Sequence, residues 1–110
     1  MTYTFPCPME SISKEVAAAY LRDVDPPWKA FWFHMYRVAR NLKEFAAGLE
    51  TISDDVFRYH VDGQKNDLSR WVQEVVGDSV LARRLDTVRD QQEAARLVQE
   101  RVTTLETALK

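Results

Sequence analysis

The chain has 110 residues, 45% of them hydrophobic and 29% charged, with a formal net charge of −2. That length suits one domain with one modest core, and the charge provides neither a global basic field for nucleic acid nor an acidic tail that mimics it. A single cysteine, Cys7, excludes an internal disulfide and by itself gives no zinc signature.

Residues 1–10 contain Pro6 and Pro8 and are expected to form an extended arm. No basic leader with a long apolar run opens the chain, so a secretory signal is not expected. No stretch approaches the ~18 uninterrupted apolar residues of a membrane span. A soluble cytoplasmic protein is the expectation.

From Ser11 to Val24, Ile12, Val16, Ala19 and Tyr20 mark one face of a predicted helix, which the Asp-Pro-Pro run at 25–27 ends. Trp28, Trp32, Met35, Ala39, Leu42, Ala46 and Leu49 then alternate steps of four and three, a helical stripe. The dense aromatics of AFWFHMY also suit a short strand, so helix is favoured before Asn41 with the strand left open. Asn41 is the N-cap of LKEFAAGLETI, and Ser53 that of DDVFRYHV, with Asp54 and Asp55 in its first turn.

Gly63 is expected to end that helix at positive φ. Asn66 caps DLSRWVQEVV, whose Leu68, Trp71, Val72, Val75 and Val76 follow the amphipathic template. Gly77 stops this helix and Asp78 starts SVLARRLDTV. Asp90 with Glu93 gives a capping-box start to a last helix. The sum is an all-α fold, a compact bundle of five or six short helices with room for an extended segment near 30–35. One domain spans 1–110: arm 1–10, N-terminal helix 11–24, helical core 28–88 and C-terminal helix 90–109.

Three features stand above this background. The first is YHVDGQKNDLSRW, residues 59–71. His60 lies four residues after Val56 and three after Phe57, so it shares their apolar face as a neutral core histidine with a hydrogen-bonded ring. Asp67 is its nearest candidate partner across the turn. A His-Asp pair can orient a general base, yet catalysis also needs a nucleophile or a metal. Ser69, two residues after Asp67, points away from it on a helix. His60, Asn66, Asp67 and Trp71 are therefore read as a structural polar cluster, with no catalytic residue assigned. His34, His60 and Cys7 lack ligand spacing, and phosphate-binding glycine motifs are missing, so neither metal nor cofactor is expected.

The second feature is PPWKAFWFHMYRVARNLK, residues 26–43, where Lys29, Arg37, Arg40 and Lys43 interleave with aromatics and no acidic residue occurs. Cations with stacking platforms suit single-stranded nucleic acid or an anionic membrane surface. Against this, so many aromatics in a small chain are needed for the core, with the charges reaching to its rim. The third is the heptad seam Ala95, Val98, Val102, Leu105 and Leu109, which serves equally to dock the last helix on its own domain or on a second chain.

The ordered elements ARNLKEF, YH, NDLSRW and GDSVLA resemble an uncharacterised prokaryotic family, found in archaea and bacteria and described only as a domain of unknown function. The likeness covers residues 31–88. Leu68 departs from a Phe and Phe45 from a Leu, while Tyr36 replaces a glycine, which favours a continuing helix there. The resemblance implies that the segments before Ala30 and after Arg89 are local additions, and it implies no reaction, ligand or partner.

The reading of function that follows is a non-catalytic helical interaction or regulatory module. A protein partner, the chain itself included as a homodimer, would meet Val98, Val102, Leu105, Leu109, Trp28 and Trp32. The alternatives are a small enzyme or ligand pocket using His60 and Asp67, with Arg40, and a nucleic-acid or membrane-surface binder using Lys29, Arg37, Arg40 and Lys43. Nucleic acid is disfavoured by the overall charge.

Overall fold

Each helix begins at a short polar side chain that accepts a hydrogen bond from the backbone N–H three residues on, the geometry that satisfies an otherwise orphaned donor. The computed structural model describes residues 12–34 and 37–110, and the element order is α1 (Lys14–Leu21), β1 (Phe31–Phe33), β2 (Arg37–Ala39), α2 (Leu42–Thr51), α3 (Asp54–His60), α4 (Asp67–Trp71), α5 (Ser79–Leu85) and α6 (Gln91–Leu109). The caps are Ser13, Asn41, Ser53, Asn66, Asp78 and Asp90, at 2.8–3.2 Å from their amides. The arm expected over residues 1–10, with Cys7 and Ser11, lies outside the described residues, as do Met35 and Tyr36.

The domain is mostly helical but not all-α. The helix favoured from Trp28 to Asn41 is replaced by a 3-10 turn at Pro27–Lys29 and an antiparallel hairpin. Phe31 pairs with Ala39, Trp32 with Val38 and Phe33 with Arg37. The reason is a period of two hidden in three residues: Phe31 and Phe33 are buried while Trp32 points to solvent. Such short strands are marginal alone, and the hairpin is tied down on several sides. Trp71 Nε1 donates to the Lys29 carbonyl at 2.7 Å, and Val24 N donates to the Arg40 carbonyl at 2.7 Å. The Phe33 ring lies so close over Gly48 of α2 that a methyl group there would overlap it.

In α1 the buried face is turned from the predicted one. Ala17 is buried, Tyr20 and Leu21 are partly buried and Val24 is buried beyond the helix end, whereas Val16 and Ala19 are exposed. Gly63 does not end α3 at positive φ; the helix closes at an extended Val61. The bend is instead held by the Asp62 carboxylate, whose Oδ1 accepts from Gln64 N at 2.7 Å and Lys65 N at 3.0 Å, an Asx turn. Helix α4 continues into a π-helical stretch, Val72–Val76, which Gly77 ends at φ 93° as expected.

The core is contiguous. Phe31, Phe33, Phe45 and Trp71 meet edge to face, stacked or tilted at centroid distances of 4.9–5.7 Å. Helix α6 packs along α2 and α1, burying Val98, Val102 and Leu105. Gln91 fixes the entry of α6 by donating to the Leu49 and Ile52 carbonyls at the end of α2, at 2.8 and 2.6 Å.

Candidate functional site

His60 and Asp67 form one structural knot, while Asn66 bonds to the Ser69 amide and the Leu85 carbonyl and Trp71 to the Lys29 carbonyl. His60 ends α3 and only 5% of it is exposed. Its Nδ1 lies 3.0 Å from Asp67 Oδ2, and its Nε2 accepts from the His34 backbone N–H at 3.0 Å. A backbone N–H can only donate, so Nε2 carries no proton and Nδ1–H donates to Asp67. One imidazole thus joins the end of β1, α3 and the first turn of α4. Phe31 and Phe33 pack on it at centroid distances of 4.9 and 6.3 Å.

Burial holds the His60 ring below its ordinary pKa of 6.5, outweighing the opposing pull of Asp67. Burial alone would raise the Asp67 carboxyl, but hydrogen bonds from His60 and Lys65 hold it below its ordinary 3.8. Lys65 Nζ sits 3.1 Å from Asp67 Oδ2 and 4.9 Å above the Tyr59 ring. His34 stacks on Tyr59 at 3.8 Å.

With both ring nitrogens engaged, His60 has no free lone pair to take a proton from a substrate. Ser69 faces away from Asp67, as predicted: its Oγ donates to the Ala82 carbonyl at 2.8 Å or to Asp86 Oδ1 at 2.6 Å. Asn66 caps α4 and also donates to the Leu85 carbonyl at 2.7 Å. Arg40 is not part of this group; it lies just before the cap of α2 and pairs with Glu44 in the first turn of that helix at 3.2 Å.

The basic-aromatic segment is divided by the hairpin. Phe31 and Phe33 enter the core, while Trp28 is 76% and Trp32 66% exposed. Of the cations, Arg40 faces Glu44, which also accepts from the Arg40 backbone N–H at 2.9 Å, and Lys43 lies 3.7 Å from Glu106. Arg40 is raised, and Glu44 lowered, chiefly by their mutual hydrogen bond. Lys29 and Arg37 are exposed.

The seam of α6 is corrected in one respect. Val98, Val102 and Leu105 do not form an open surface, because α2 and α1 already cover them. Leu109, at the end of the helix, is exposed.

Sequence reasoning missed a buried ion pair. Asp78, fully buried, caps α5 and receives Arg101 of α6 in a two-pronged contact, Nε to Oδ2 at 2.6 Å and Nη2 to Oδ1 at 2.9 Å. It also missed Arg22, whose guanidinium donates to the Val75 and Val76 carbonyls at 2.9 and 3.3 Å and to Ala19, joining the ends of α1 and the π stretch. Nothing in the local spacing announces either link.

Two open grooves flank the α2–α6 seam. One of 630 Å³ is lined by Glu50, Arg96, Gln99, Glu100, Thr103 and Thr104, and one of 440 Å³ reaches Gln91 and Ala95. Neither has His60 or Asp67 in its wall. Among the described residues no three His, Asp or Glu side chains converge as metal ligands would, and no helix is long and apolar enough to cross a membrane. No protein-family model matches this chain, and neither curated proteins nor solved structures give a match to it.

Proposed function

We propose that the protein is a small, non-catalytic, cytoplasmic interaction module that engages a protein partner through Trp28 and Trp32. One observation carries this reading: the two tryptophans stand in solvent although Phe31 and Phe33, which flank Trp32, fill the core. A chain with an apolar interior available normally uses its largest apolar side chains there. Tryptophan left outside is also the residue type most often found anchoring interfaces. The ring of His60, bonded at both nitrogens, supports the non-catalytic half of the proposal.

Kinship with the uncharacterised prokaryotic family belongs to the same proposal and adds no reaction to it. Self-association is its simplest form, with a second copy as the partner. The contact would then lie on Trp28, Trp32 and Leu109, since the rest of the α6 seam is buried within the chain.

The test compares the natural chain with a Trp28→Ala, Trp32→Ala double variant, by sedimentation and by co-purification from native lysate. A specific complex, with itself or another protein, that the double variant loses is the expected result. Equal behaviour of the two chains would overturn the reading. The nucleic-acid or membrane alternative is weakened by the pairing of Arg40 and Lys43 with carboxylates. Binding of oligonucleotides or anionic vesicles that fails at low salt would remove it.

A further inference from the structure

The end of β1 is held to the helices through a titratable side chain, that of His60. Strands β1 and β2 have three residues each, too few to be stable without outside attachments. At the Lys29 end the attachments are the Trp71 indole on the Lys29 carbonyl and the Val24 N–H on the Arg40 carbonyl; at the other end the attachment is the bond from His34 N–H to His60 Nε2.

We propose that His60 is an acid-released latch, whose protonation at Nε2 breaks the bond to His34 and frees the end of β1, altering how Trp32 is presented. A protonated Nε2 and the His34 N–H would be two donors facing one another across 3.0 Å, with no acceptor between them. The Phe31 and Phe33 rings beside the imidazole offer it no lone pair.

The charged and titratable groups around the ring divide in their effect. Asp67 favours the imidazolium, whereas Lys65 and His34 oppose it, and Tyr59 presents its ring at 5.1 Å. The attraction of Asp67 acts at Nδ1, where the bond already exists, so it cannot replace the acceptor lost at Nε2. The new proton is satisfied when β1 moves and water enters. The latch operates whether or not Trp32 meets a partner, so its failure and that of the proposed function are separate results.

Nuclear magnetic resonance of the intact chain tests it directly. At pH 7.5 the His60 Nε2 signal should be that of an unprotonated ring nitrogen. On acidification, exchange protection of the amides of Phe31, Phe33 and His34, corrected for intrinsic rates, should fall by up to about tenfold per pH unit between 6.5 and the lowered value of the folded ring. Helix α6 amides should keep more of their protection than the hairpin. His60→Gln can still accept from His34 and never ionises, so its hairpin protection should be flat; His34→Gln should keep the acid loss. A ring protonated at Nε2 at pH 7.5, hairpin protection that ignores pH, or an acid loss abolished by His34→Gln would each overturn the latch. Should His60→Gln fold poorly, the ring tautomer and exchange profile of the natural chain decide the matter alone.

Discussion

Asp78 carries two tasks at one fully buried position, capping α5 and neutralising Arg101. Replacing it by Asn keeps a capping oxygen but leaves a guanidinium without its charge partner in a nearly dry site. Breaking a buried pair from one side costs about 3–5 kcal/mol, and urea denaturation of Asp78→Asn should show a loss of that order. Gly48 is constrained by space. A Gly48→Ala methyl must push the Phe33 ring aside, and overpacking of this kind costs about 1–3 kcal/mol. Thermal unfolding should report it. What was legible at this scale was whatever lay close in sequence. The caps were legible because side chain and amide are three residues apart, and His60 with Asp67 because one turn separates them. Asp78 and Arg101 lie 23 residues apart on different helices, where no local pattern connects them. Gly63 misled because glycine is the usual helix stop, while Asp62 holds this bend through its carboxylate.

The elements differ in how much pattern each contains. Helix α6, with 19 residues, repeats its apolar spacing often enough to be unmistakable as a helix. The same heptads, however, serve a helix docked on its own core and one docked on another chain, so the spacing could not select between them. The packing on α2 and α1 selects the first. Leu105→Asp should therefore unfold the domain and not dissociate an assembly. It loses at least the roughly 2–5 kcal/mol of a buried leucine truncation and adds a charge in an apolar site. Circular dichroism showing full helicity in that variant, with only a change in sedimentation, would contradict the assignment. The hairpin was obscured for the opposite reason. A strand of three residues shows one alternation, and Trp28 and Trp32 happen to stand four apart, as on a helix. In α1, eight residues rich in alanine left the choice of face to packing, which selected Ala17 over Val16.

At the scale of the whole molecule, the folded chain should lose stability in acid through two groups of the same knot. His60 is held below 6.5, so between that value and its folded one the unfolded chain binds the extra proton. Its contribution is complete above 6.5 and is lost as pH falls through the folded value. Asp67 is held below 3.8, so its carboxylate stabilises the fold above that pH and the contribution disappears as acidification passes its own lowered value. Urea midpoints measured from pH 8 to pH 3 should be level with respect to these groups above 6.5, decline below it and decline again below 3.8. Removing the carboxylate gives the sharper test. In Asp67→Asn the force favouring imidazolium is gone while burial remains, so the folded ring resists protonation further and the first decline extends to lower pH. A first decline that instead shrinks in Asp67→Asn would mean that the ring is charged in the native fold, and the assignment of a neutral His60 bridging β1, α3 and α4 would fail.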